Sequence, residues 1–138
     1  MKNLPVIFLL WLPVVAWSQG SIEVKVTEIR DEKGDIRVGL FKNEDTFLKK
    51  AIEGKVVKAS KDGVTVVFEN VPEGDYAVSV LHDENGNGEM DSNVVGMPKE
   101  GFAFGNNAMG TFGPPSFEKA KVSVKNGRVR QELKMKYM

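Results

Sequence analysis

Ser21-Ile22-Glu23-Val24-Lys25-Val26-Thr27-Glu28-Ile29-Arg30 opens on strict alternation. Ile22, Val24 and Val26 share one parity, while Glu23 and Lys25 lie on the other. Successive side chains of a strand point to opposite faces, so this stretch reads as a strand with one buried face. The same period recurs downstream. After a turn cluster at residues 31–35, Ile36, Val38 and Leu40 alternate again, which predicts a hairpin with the first strand. Residues 55–59 and 64–68 are strand-like, the latter bounded by Asp62-Gly63 and Pro72-Glu73-Gly74. Residues 75–82 put Tyr76, Val78 and Val80 on one side. At the C-terminal end, residues 121–125 and 128–137 predict a final hairpin about Asn126-Gly127, with Val124 facing Val129.

Two segments break the period. Asn43 reads as a helix cap, with Glu44 and Asp45 in the first turn. Phe47, Leu48 and Ala51 form the buried side of that short helix. Residues 92–116 carry Gly96, Gly101, Gly105, Gly110 and Gly113, end near Pro114-Pro115, and read as a long glycine-rich loop. The sum is an all-β chain: an antiparallel β-sandwich of about seven strands, immunoglobulin-like in kind, with one short helix.

Upstream of the first strand, Met1-Lys2-Asn3 is a short basic start and residues 4–17 are an apolar run. Ala16 and Ser18 then form a small-residue cleavage pattern. The run is too short for a spanning helix and holds Pro5 and Pro13. Residues 1–18 are expected to be a signal peptide, leaving a single β-sandwich domain at 19–138 that is exported to the periplasm or outside the cell. The chain has no cysteine, which excludes an acylated lipoprotein and any disulfide. About 120 residues are enough to fold on packing alone.

Nineteen basic and nineteen acidic side chains leave no net charge. That balance argues against a nucleic-acid partner. Arg128, Arg130, Lys134 and Lys136, interrupted by Glu132, read as a solvated strand face.

The most specific chemistry lies at residues 83–91. Asp83, Asn85 and Asn87 stand at loop positions one, three and five, Gly88 at six, Glu89 at seven and Asp91 at nine. Calcium takes six to eight oxygen ligands from a loop curled around it, and this spacing supplies such a curl. The expected metal ligands are Asp83, Asn85, Asn87, Glu89 (through its carbonyl) and Asp91. Position twelve is Val94, so the bidentate glutamate is missing and the site is expected to be weak. The competing reading is a turn whose Asp and Asn side chains cap their own backbone.

His82 is the single histidine. One histidine does not make a zinc site, and no nucleophile-elbow pattern surrounds the serines. It reads as a strand-end histidine satisfied by a loop carbonyl. A possible ligand surface joins His82 to Phe104, Asn106, Asn107 and Phe112, with the asparagines as polar readers. Otherwise the phenylalanines form a lid buried against the end of the sandwich.

Gly74-Asp75-Tyr76-Ala77-Val78, His82-Asp83-Glu84-Asn85-Gly86-Asn87-Gly88, Gly105-Asn106-Asn107-Ala108 and Phe112-Gly113-Pro114-Pro115-Ser116-Phe117 together resemble the bacterial domain-of-unknown-function family 2141. The resemblance implies an exported bacterial protein. The Pro72-Glu73-Gly74-Asp75-Tyr76 run is also similar to transthyretin-like and carboxypeptidase-regulatory-like sandwiches, so the sandwich is expected to be immunoglobulin-like or transthyretin-like. The expectation is a non-enzymatic binding or accessory domain, with calcium stiffening its loop against an unknown protein or glycan partner. The alternatives are a hydrolase that uses His82 with Asp83 or Asp91, and a purely structural envelope component.

Overall fold

β1 (Gln19–Thr27) buries the parity that its sequence marks: Ile22, Val24 and Val26 are completely inaccessible. The computed structural model describes residues 3, 5, 19–86, 100–111 and 113–138. Among them, β1 is followed by β2 (Asp35–Phe41), β3 (Glu53–Lys58), β4 (Val64–Pro72), β5 (Gly74–Asp83), β6 (Phe102–Phe104), β7 (Val122–Val124) and β8 (Gly127–Lys134). One sheet has the order β4-β1-β8. The other runs β3-β2-β5-β6, with β7 paired to the start of β5. The sandwich reading holds, with eight strands in two sheets. The pairing is antiparallel except between β1 and β8, which run parallel from Gly20↔Gly127 to Thr27↔Lys134.

The inward parities meet between the sheets. Ile36, Val38 and Leu40 of β2, Val78 and Val80 of β5, and Phe68 and Leu133 from the facing sheet join the β1 residues in one cluster. Each fully buried side chain of this kind contributes about 1.5–3 kcal/mol relative to exposure. Tyr76 fixes the start of β5 by donating its hydroxyl to the Pro72 carbonyl at 2.8 Å. It closes a corner like that of other sandwich domains.

Several local expectations are corrected. β1 and β2 are not a hairpin: they lie in different sheets and face each other across the core. Alternation says which face is buried and not which neighbour pairs, so both arrangements satisfy it. The final hairpin is also absent. β7 pairs with β5 and β8 with β1, so Asn126-Gly127 is a corner between sheets. Gly20 permits that corner, because a Cβ there would lie 2.5 Å from the Gly127 carbonyl.

Asn43 does accept the Thr46 N–H at 2.9 Å, as a cap would. The helix does not propagate, since Leu48 adopts a left-handed φ of 62° and the segment stays a set of turns. The short helix is instead α1 (Phe117–Ala120), where Ser116 accepts the Lys119 N–H at 3.3 Å. The long loop contains β6 at its centre. Phe102, Phe104 and Phe117 pack with Phe41, Phe47, Ala77 and Ala120 into a second apolar cluster. Ala77 and Phe41 have the parity opposite to the inner core, which places this cluster on the outer face of the β2–β5–β6 sheet.

Candidate functional site

The polar chemistry of the molecule gathers where β5 ends. His82 shares the inward parity of Val78 and Val80, and its ring is inaccessible. Its Nε2 lies 2.7 Å from the Lys33 carbonyl, which only accepts, so Nε2 carries the proton. Nδ1 then accepts from the Tyr137 hydroxyl at 2.7 Å. The tyrosine oxygen in turn accepts the Arg30 backbone N–H at 3.2 Å. Burial pushes the Tyr137 phenol above its ordinary pKa, with Arg30 opposing and the Glu84 and Asp31 charges adding to the rise.

The turn from β1 to β2 seals this ring from above. The Arg30 guanidinium stacks 4.5 Å from the Tyr137 ring centre and pairs with the Glu84 carboxylate. Asp31 caps the Lys33 N–H at 2.9 Å and stands 3.6 Å from His82 Nε2. Burial works to raise the Asp31 carboxyl. The Lys33 N–H, the Glu84 carboxyl and the Lys33 charge outweigh it and hold it below the usual carboxylate value. Gly34 (φ 62°) passes so close to β5 that a Cβ would collide with the Asp83 carbonyl.

The next residues lock both roots of the 84–100 segment. Asp83 is inaccessible, and its Oδ2 accepts from Arg37 Nε at 3.0 Å. The Glu84 N–H donates to Glu100 Oε2 at 2.6 Å. The His82 N–H donates to the Gly101 carbonyl at 2.8 Å.

The predicted site residues separate. Of the calcium set, Asp83 is inaccessible and its carboxylate pairs with the Arg37 guanidinium. Asn85 is exposed. Asn87, Glu89 and Asp91 lie outside the described residues. No group of three potential ligands forms among the described residues. His82 and Phe104 sit on opposite faces of their sheet, so they share no surface. Phe112 lies outside the described residues.

Asn106 and Asn107 hold backbone, both at positive φ. Asn106 Nδ2 donates to the Lys119 and Lys121 carbonyls at 3.2 and 2.9 Å. Asn107 accepts the Lys134 N–H at 2.9 Å and donates to the Glu132 carbonyl at 3.0 Å, covering the edge of β8.

Sequence reasoning missed Tyr137, Arg30, Arg37 and Glu100. Each meets His82 or its neighbours across long stretches of chain, and no local pattern carries such a meeting. A shallow depression of about 250 Å³ lies between the starts of β1 and β8 and the end of β4. It is smaller than an ordinary ligand pocket of about 300–1,000 Å³. No described helix is long and apolar enough to cross a membrane.

Fold and site together define a β-sandwich domain whose one buried histidine is built into an internal polar lock. The sequence profile of the family described as "Uncharacterized protein conserved in bacteria (DUF2141)" matches residues 24–132, and the chain belongs to that family. No curated protein and no solved structure matches it.

Proposed function

We propose that the chain is an exported, non-enzymatic binding or accessory domain that presents the 84–100 segment to a protein or glycan partner. One observation carries this reading: both His82 ring nitrogens are taken up inside the fold, by Lys33 and Tyr137. A general base needs a nitrogen within reach of the proton it abstracts, and this ring offers none to an incoming group. The lock anchors both ends of a segment that leaves the sheet at an exposed turn, Asn85-Gly86. Loops on a rigid scaffold are where recognition concentrates. Export is supported by the basic start, the apolar run and the small-residue pattern at Ala16 and Ser18.

The test is photo-crosslinking in intact cells, with the reactive side chain at exposed Asn85 and, as control, at exposed Lys125 on the far corner. A discrete adduct from Asn85 and none from Lys125 is the expected result. No adduct from Asn85, or the same adducts from both positions, would overturn the reading.

A further inference from the structure

We propose that the outer edge of β3 takes up an acidic, extended segment of a partner protein as an added strand. The β3 edge takes no residue from the 84–100 segment. The two sheets are joined along one side, where Phe102 of β6 bridges to Lys136 beyond β8 and β7 pairs with β5. The opposite side ends on β3 and β4, and among the described residues β3 pairs only with β2.

Which backbone groups of β3 are open follows from parity. The Ala59 N–H donates to the Gly34 carbonyl, in line with the β2–β3 register. In an antiparallel ladder alternate residues turn both backbone groups to the same neighbour. Residues 53, 55, 57 and 59 therefore face β2, and Gly54, Val56 and Lys58 direct N–H and C=O outward. An extended peptide matches that two-residue repeat with its own backbone.

The side chains along this edge are those of a contact surface. Val56 is 53% exposed and Ile52 46% exposed. Leu48 is 38% exposed and holds a left-handed backbone. That conformation is costly for a branched apolar residue, and here it leaves the side chain at the surface. Charge selects the occupant. Lys49, Lys50, Lys55, Lys58 and Lys61 outnumber Glu53 and Asp62 in this stretch of a chain with no net charge, and Asp35 lies opposite Lys58 in the register. Glu53 is already 3.5 Å from Lys55. Arg37 lies opposite Val56 in the register and is itself partly exposed. Lysines on an edge strand can serve only to keep other strands away, but that role needs no exposed Val56 and Ile52 beside them. A second copy paired through Val56 would crowd two sets of these lysines together, which disfavours self-pairing. An acidic strand with alternate apolar residues satisfies both the charge and the apolar positions.

The experiment is amide hydrogen exchange by NMR on the protein as the cell processes it, with the peptides acetyl-EVEVEVE-amide and acetyl-KVKVKVK-amide. Excess acidic peptide should slow exchange several-fold at Gly54, Val56 and Lys58 and leave Lys55 and Val57, already in the ladder, unchanged. The basic peptide should do neither, and Lys55→Glu with Lys58→Glu should abolish the effect while the remaining spectrum stays folded. No protection at millimolar acidic peptide would overturn the proposal, as would equal protection by both peptides. Protection of the same amides that rises with protein concentration alone would assign the edge to a second copy and overturn it equally.

Discussion

Asp83 is the residue on which two kinds of chemistry compete. Its spacing to Asn85, Asn87 and Asp91 is that of an oxygen-ligand loop, whereas its surroundings are those of an internal ion pair with Arg37 at 3.0 Å. The carboxylate is inaccessible and Arg37 is partly exposed, so removing Asp83 leaves the guanidinium a route to water. Breaking a buried pair costs about 3–5 kcal/mol when the remaining charge is trapped, and the open side of Arg37 places this pair at or below the lower end. Asp83→Ala is therefore expected to lower stability by about 2–3 kcal/mol in denaturant titration, equally in EDTA and in millimolar calcium. A loss seen only in calcium would make Asp83 a metal ligand, since a ligand at one hundred times its dissociation constant adds about 2.7 kcal/mol to the folded state. His82 carries a related lesson. Its bonding to a loop carbonyl was legible from its place at a strand end, but its second partner, Tyr137, lies 55 positions away and carries no local signal.

At the scale of elements, what could be read from the chain was burial, and what could not was partnership. Ile22, Val24, Val26, Ile36, Val38, Leu40, Val78 and Val80 all face the core as their alternation requires. The same alternation was silent on whether β1 pairs with β2 or with β4 and β8, because each choice buries the same atoms. Turn chemistry misled at Asn126-Gly127 for a related reason: a tight corner serves a change of sheet as well as a hairpin. β6 was hidden in its glycines because both Phe102 and Phe104 face outward onto the second cluster, with only Ala103 between them facing in. Asn106 and Asn107 were legible as polar readers of a ligand surface, and in the structure their side chains hold neighbouring backbone. Asn107 stands in for a neighbouring strand at the edge of β8. Asn107→Ala should thus uncover the Lys134 N–H and the Glu132 carbonyl to water and leave a non-glycine residue at φ 53°. Neutral hydrogen bonds contribute about 0.5–1.5 kcal/mol each, so a loss of about 1–3 kcal/mol is expected, with faster amide exchange at Lys134. Unchanged exchange there would show that the clip does not hold.

Over the whole molecule, the decisive contact joins the two ends of the folded chain. β8 is the parallel neighbour of β1 along its length, Leu133 and Met135 fill the core beneath it, Lys136 bridges to β6, and Tyr137 closes on His82. Without residues 127–138 the smaller sheet is reduced to β4 and β1, and an isolated two-stranded pair is at best marginally stable in water. The missing strand would also open the inner face of β1, where Ile22, Val24 and Val26 are now inaccessible. A chain ending at Asn126 is accordingly expected to show no cooperative thermal transition and a collapsed amide spectrum, while a chain beginning at Gln19 keeps both. Pairing of ends is also the slowest kind of contact to make, because the whole intervening chain must be closed before it is rewarded. Folding can then finish only when β8 is available, which suits the proposed export, since a chain still waiting for its last strand stays extended enough to be moved. Refolding of residues 19–138 from denaturant should follow, in milliseconds to seconds as for other domains rich in distant contacts, and Leu133→Ala, which weakens the closing strand, should lower stability by about 2–5 kcal/mol. If the chain ending at Asn126 melts cooperatively, β1 and β4 hold the core by themselves and the closing role of β8 is wrong.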